Sequence, residues 1–132
     1  MGFKKVLIAN RGEIALRIMR TLRDMGIEAA IIYGKEDRLS LPVQLADDAT
    51  FRDVINPLDA YLDIEAVVQA AKDMGCDAIH PGYGFLAENA GFVQRLEEEG
   101  ITFIGPSADV ITLLGYKIEA RAAMEAAGLP TA

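Results

Sequence analysis

One run of ten residues, His80-Pro81-Gly82-Tyr83-Gly84-Phe85-Leu86-Ala87-Glu88-Asn89, concentrates the side chains with which this sequence could do chemistry. It joins an imidazole, a phenol and a carboxylate to two glycines, between an apolar run at 76–79 and a helix-forming stretch at 90–99. Gly82 and Gly84 let backbone approach a bound group closely, and Asn89 suits an N-cap, beyond which free amides can meet an anion. Gly-rich turns also arise for steric reasons, so the loop alone leaves a ligand site and a plain turn both open. His80 has no cysteine or serine partner in view and reads as a hydrogen-bonded anchor of the loop. Cys76, the one cysteine, lies in the apolar run and reads as a buried, inert thiol in a reducing compartment.

The elements that must position this loop follow from the apolar pattern. Strands are predicted at 5–10, 27–33, 49–54, 76–79 and 101–104. Helices are predicted from the Arg11-Gly12-Glu13 turn to about residue 25, then over 62–74 and 90–99. A short helix capped by Ser107 should run to about 114, and another should run from 117 to just before Gly128-Leu129-Pro130. Residues 38–48 have no clear period, and Pro42 argues against a continuous helix there. In the first helix Ile14, Ile18, Leu22 and Met25 form a stripe expected to pack on the sheet. Beside it Arg17, Arg20 and Asp24 form a polar stripe, either a solvated face with an Arg20–Asp24 pair or a contact surface for another subunit. The run Glu97-Glu98-Glu99 reads as a solvated face, and Arg11 and Glu13 are a pair that would fix the first turn.

Strands alternating with helices define an α/β fold, a Rossmann-like doubly wound parallel sheet with helices on both faces. Ligands of such sheets bind outside the carboxyl ends of the strands. Asn10 to Glu13, Gly34 to Asp37, His80 to Asn89 and Gly105 to Ser107 all fall at those ends, so one rim is the functional face.

With 132 residues and 52% hydrophobic content the chain suits one domain with a genuine core. A net charge of −7 disfavours nucleic acid and anionic membrane surfaces as partners. There is no signal-like or membrane-spanning apolar run, and no Ser or Thr at position 6 for a myristoylation motif, so the expected location is cytoplasmic. Glu36 or Asp37 could hold a ribose, but the first turn has one glycine where the dinucleotide fingerprint needs three, which disfavours a nucleotide-dependent oxidoreductase.

Four motifs carry a resemblance: Ile8 to Ala15, Ala78 to Leu86 with Glu88-Asn89, Phe103-Ile104-Gly105-Pro106, and Gly115-Tyr116-Lys117. In this order and spacing they resemble the N-terminal, pre-ATP-grasp domain of biotin carboxylases, the component of acetyl-CoA, pyruvate and propionyl-CoA carboxylases. The resemblance implies an ATP-dependent carbon–nitrogen ligase that carboxylates biotin on a carrier protein from bicarbonate, with magnesium offsetting phosphate charge. It divides the chain into an α/β domain at 1–115 and, at 116–132, a helix and the start of a linker to an ATP-grasp domain. In the family that further domain supplies the metal-binding carboxylates, the bicarbonate-binding residues and most of the nucleotide pocket. This chain is therefore expected to contain no catalytic residue and no metal ligand, to hold no cofactor tightly, and to be inactive alone. The implied partners are the ATP-grasp remainder, the biotin carrier, a carboxyltransferase and a second copy in a homodimer.

By the same resemblance Lys117 contacts the ATP phosphates, and Tyr83, Gly84 and Glu88 lie near bicarbonate and biotin. Arg17, Arg20 and Asp24 match the homodimer contact of bacterial members. Departures are Tyr116 for the usual Asp, Ala87 for Ser, Asp24 for the frequent Glu, and Leu39, Pro42 and Phe51-Arg52-Asp53. Tyr116 puts a bulky neutral ring beside Lys117 and bears on nucleotide binding. The alternative is a non-catalytic binding or oligomerisation module derived from the same domain.

Overall fold

A computed structural model describes residues 2–128. The last residues of the 116–132 segment, from Leu129 on, lie outside the described residues; the last helix ends before Gly128, as predicted. Five parallel strands, β1 (Lys5–Ile8), β2 (Glu28–Tyr33), β3 (Asp48–Phe51), β4 (Ala78–His80) and β5 (Thr102–Phe103), form one sheet in the order β3-β2-β1-β4-β5. The order reverses between β1 and β4, which leaves a crevice at the carboxyl ends of those two strands.

Alternation along the strands sends side chains to two cores. Leu7, Ala9, Ile32 and Ile79 pack against α3 (Asp59–Leu62), α4 (Ile64–Asp73) and α5 (Ala90–Glu98) through Tyr61, Val67, Val68, Ala71, Phe92 and Leu96. Val6, Ile8, Ala29, Ile31 and Ala78 pack on the other face against Ala15, Met19 and Leu22 of α1 (Gly12–Asp24). α6 (Ala108–Ala126) buries residues in its first turn, where Ala108 and Ile111 meet Val93 of α5. From Thr112 to Gly128 every residue is exposed.

Several expectations shift. Of the predicted stripe Leu22 is buried on the sheet and Ile18 packs at its edge, beside Ala15 and Met19, while Ile14 is 38% and Met25 66% exposed. The helix carries adjacent apolar pairs, Ile14-Ala15 and Ile18-Met19, and the turned-in member of each pair is the second. The predicted 62–74 helix is α4, which starts at Ile64 because Asp63 is its N-cap, the carboxylate accepting from the Ala66 amide; α3 before it was not anticipated. Pro42 does not prevent a helix but opens one, α2 (Leu41–Leu45), where its missing N–H costs nothing. The two short helices expected at 107–114 and from 117 are one continuous α6 that runs through Gly115. Ser107 caps it as expected, accepting from the Val110 amide, and Asn89 caps α5 by accepting from Phe92.

Candidate functional site

The crevice is organised by Asn10. It leaves β1 beside the exit of β4 and is 1% exposed. Its Nδ2 donates to the carbonyls of Pro81 (3.0 Å) and Tyr83 (2.8 Å), and its Oδ1 accepts from the Arg11 amide. One buried amide thus satisfies itself while fixing two carbonyls of the loop, as a buried polar group must. Gly82, at φ +65°, packs so closely that a β-carbon there would lie 2.7 Å from Asn10 Nδ2 and 2.9 Å from Ile14 Cγ2. His80 anchors the turn as expected, its Nδ1 accepting from the Gly82 amide at 3.0 Å. Burial lowers the His80 pKa, favouring the neutral ring whose Nδ1 lone pair this bond needs.

The far side of the loop rests on a second network. Arg11 does not pair with Glu13 as expected; it reaches across to Asp37, with Nε 2.7 Å from Oδ2 and Nη2 2.5 Å from Oδ1. Neighbouring parallel strands bring these turns together although they are far apart in sequence. The Tyr61 hydroxyl also donates to Asp37 Oδ2. Asp37 is held below the usual carboxylate range by Arg11 first, with Tyr61 assisting against the cost of burial. Burial first, and then the hydrogen bond to Asp37, push the Tyr61 phenol up, so it stays a donor. Both carboxylate oxygens of Asp37, a residue considered from sequence for a ribose contact, are engaged by Arg11 and Tyr61. Above it the Tyr61 ring packs on Phe85 at 5.1 Å between centroids, and Phe85 is the sole described residue other than glycine with positive φ, +47°.

Between this loop and α6 lies a cavity of about 390 Å³. Gly82, Tyr83, Gly84, Ala87 and Glu88 form one wall, and Ile111, Leu114, Gly115 and Ile118 with Pro106 form the other. Tyr83, Gly84 and Glu88 are thus brought together. Lys117 is exposed, on the same helix between two lining residues, and does not itself line the cavity. Tyr116 is 70% exposed. Arg17, Arg20 and Asp24 are exposed on α1, away from this cavity; Arg17 bonds to Thr21 at 2.5 Å, and the expected Arg20–Asp24 pair is not formed. The acidic run is partly engaged rather than merely solvated. Glu99 pairs with Lys72 and Arg95, and Glu98 with Arg95. Cys76 is buried, which pushes its thiol to about 11. Among the described residues no three His, Cys, Asp or Glu side chains converge to hold a metal, and no helix is long and apolar enough to cross a membrane. Sequence reasoning missed Asn10, Asp37 and Tyr61 as supports of the site. The available signal was an Asn directly after an apolar strand, facing a Gly-rich turn.

The family model "Biotin carboxylase, N-terminal domain" matches residues 2–111. The chain belongs to this family of biotin carboxylase N-terminal domains, as the motifs suggested. It is 52% identical over 127 residues to biotin carboxylase 1 of Bacillus subtilis, a match covering 96% of the chain and 28% of that protein. The pyruvate carboxylase of the same bacterium is 49% identical over 130 residues, covering 98% of the chain and 11% of the relative. Among solved structures, the biotin carboxylase domain dimer of Hydrogenobacter thermophilus 2-oxoglutarate carboxylase, in complex with MgADP, ADP and bicarbonate, superposes with TM-score 0.86. It is 49% identical, covering 99% of this chain and 29% of that one. The chain therefore spans under a third of the relatives it matches, and its sheet is the Rossmann-like α/β fold anticipated.

Proposed function

We propose that this chain forms one wall of the site at which a biotin carboxylase uses ATP and bicarbonate to carboxylate biotin on a carrier protein. The observation that carries the reading is the cavity in which the Tyr83-Gly84 turn and Glu88 face the Leu114–Ile118 side of α6. Its chemistry suits the assignment. Gly84 lets a small planar anion come close to backbone, the exposed Tyr83 phenol can donate to it, and the Glu88 carboxylate accepts from ureido N–H groups while repelling phosphate. We assign the phosphates to Lys117, the one cation of the Gly115-Tyr116-Lys117 turn of α6, and place their magnesium ligands outside this chain. When bound, ATP activates bicarbonate for transfer, and biotin accepts the carboxyl group. The division at 115/116, within α6, then separates the α/β unit from a lever leading to an ATP-grasp part. Arg17, Arg20 and Asp24 are assigned to a homodimer contact, the carrier and carboxyltransferase are further partners, and the enzyme is placed in the cytoplasm.

The test is a chimera in which this chain replaces the matched segment of the Bacillus subtilis biotin carboxylase. It should hydrolyse ATP in a biotin-dependent way, whereas the chain alone should not. Lys117→Met in the chimera should raise KM for ATP by about tenfold or more, the value of one charged hydrogen bond. A folded but inactive chimera overturns the reading in favour of a non-catalytic module, and turnover by the pure chain overturns the shared-wall assignment.

A further inference from the structure

The loop that lines the cavity holds a conformation that its own residues do not favour. Phe85 sits at φ +47°, where a bulky side chain is strained, immediately after Gly84 at +78°. Such a backbone persists only where its surroundings over-determine it. Two grips on different atoms do so here. From β1, Asn10 Nδ2 holds the carbonyls of Pro81 and Tyr83. From α3, the Tyr61 ring holds Phe85, and the ring is itself tied through its hydroxyl to Asp37 and thence to Arg11. Tyr61 is 2% exposed and Asn10 1%, so neither can meet a ligand in the cavity, and neither lines it.

We propose that Asn10 and Tyr61 are positioning residues, which from opposite sides clamp residues 81–85 so that the Tyr83-Gly84 wall is shaped before any ligand arrives. This rests on the reading of that wall as a ligand surface, but the clamp itself is a property of the free chain. A wall that already has its bound shape spends no binding energy on ordering itself. The two grips act on different atoms, carbonyls on one side and a ring on the other, so loss of either frees a different part of the turn.

The experiment is amide hydrogen exchange, with ¹H–¹⁵N spectra, on the full 132-residue chain without ligand. The reporters are the Gly82 amide bonded to His80, the Ala87 amide bonded to the Gly84 carbonyl and the Asn89 amide bonded to the Leu86 carbonyl. Tyr61→Leu should speed exchange at Ala87 and Asn89 by about tenfold, as a local opening, while amides of β1 and β4 change less than about twofold. Tyr61→Phe, which keeps the ring but loses its tie to Asp37, should give Gly84 and Phe85 shifts between those of the wild type and Tyr61→Leu. Asn10→Asp places a carboxylate against two carbonyls and should speed Gly82 most. Equal acceleration throughout the sheet, or wild-type exchange at the loop in both Tyr61→Leu and Asn10→Asp, overturns the proposal. If Tyr61→Leu does not fold, the Gly82 result in Asn10→Asp decides it. No substrate enters this measurement, so its failure leaves the carboxylase reading standing. An inactive chimera, in turn, leaves the clamp standing.

Discussion

At the amino-terminal rim of the sheet, carboxylates close directly on the starts of strands. Asp77 accepts from the amides of Lys4 (2.9 Å) and Lys5 (3.3 Å), Asp47 accepts from Ala29 (2.8 Å), and Asp48 pairs with Lys5 Nζ at 2.8 Å. At the carboxyl rim a buried carboxylate and neutral groups act together on one loop: Asp37 takes Arg11 and Tyr61, Asn10 holds carbonyls, His80 holds an amide, and the Tyr61 ring meets Phe85. The first kind of tie holds strand ends and competes with water, so each bond contributes modestly. The second kind holds a loop in a shape with no secondary structure to impose it. The difference teaches where this fold spends its buried polar groups: on the rim that carries a cavity.

Three substitutions bear on that contrast. The largest effect is expected from Gly82→Ala, which puts a β-carbon into Asn10 and Ile14 at positive φ. A loss of about 2–4 kcal/mol in urea unfolding is expected, with displaced Tyr83 and Gly84 resonances. At the other rim Asp77→Ala should cost about 1 kcal/mol, from two partly exposed hydrogen bonds, and leave those resonances in place. Loop shifts in Asp77→Ala as large as those in Gly82→Ala would erase the distinction. The smallest effect concerns pH. His80 has a lowered pKa in the fold, so below about pH 6.5 the unfolded chain takes up a proton that the native chain does not. Stability should therefore fall as pH drops from about 6.5 towards the lower folded value, and the Gly82 amide should lose its Nδ1 acceptor as the ring charges. His80→Asn, whose Oδ1 can take over that acceptor role, should flatten this part of the pH profile. An unchanged slope would assign it to other groups.

What could be read from the sequence was chiefly what is decided within a few residues. Asn89 and Ser107 declare themselves as caps by their place before helical stretches, and β-branched runs such as Val6-Leu7-Ile8 declare buried parallel strands. The glycine turns and their common rim followed from the alternation of elements. Pairings across the sheet were hidden. Arg11 has an acid two residues away in Glu13, yet the partner that reaches it is Asp37, because β1 and β2 exit side by side. Part of the packing face of α1 was off by one residue, since both members of Ile14-Ala15 and Ile18-Met19 are apolar and only contact with the sheet chooses between them. Gly115 gave a false break: one mid-helix glycine costs about 1 kcal/mol, too little to stop a helix with good formers on both sides. Of the cavity, the Tyr83 side was legible and the supporting Tyr61 was not, because nothing local marks a tyrosine as resting on a distant loop.

One consequence follows from the way α6 is rooted. Its buried contacts are confined to Ala108 and Ile111, whereas Ile118 stands ten residues from its base, about 15 Å along the axis. A slight tilt at the root would therefore swing the outer side of the cavity through a larger arc than the root itself, while the opposite side is tied to β1 and α3. In such a tilt the gap would work like a pair of jaws with a single moving member. Whatever pulls on the outer turns of that helix sets the aperture without having to deform the rest of the domain.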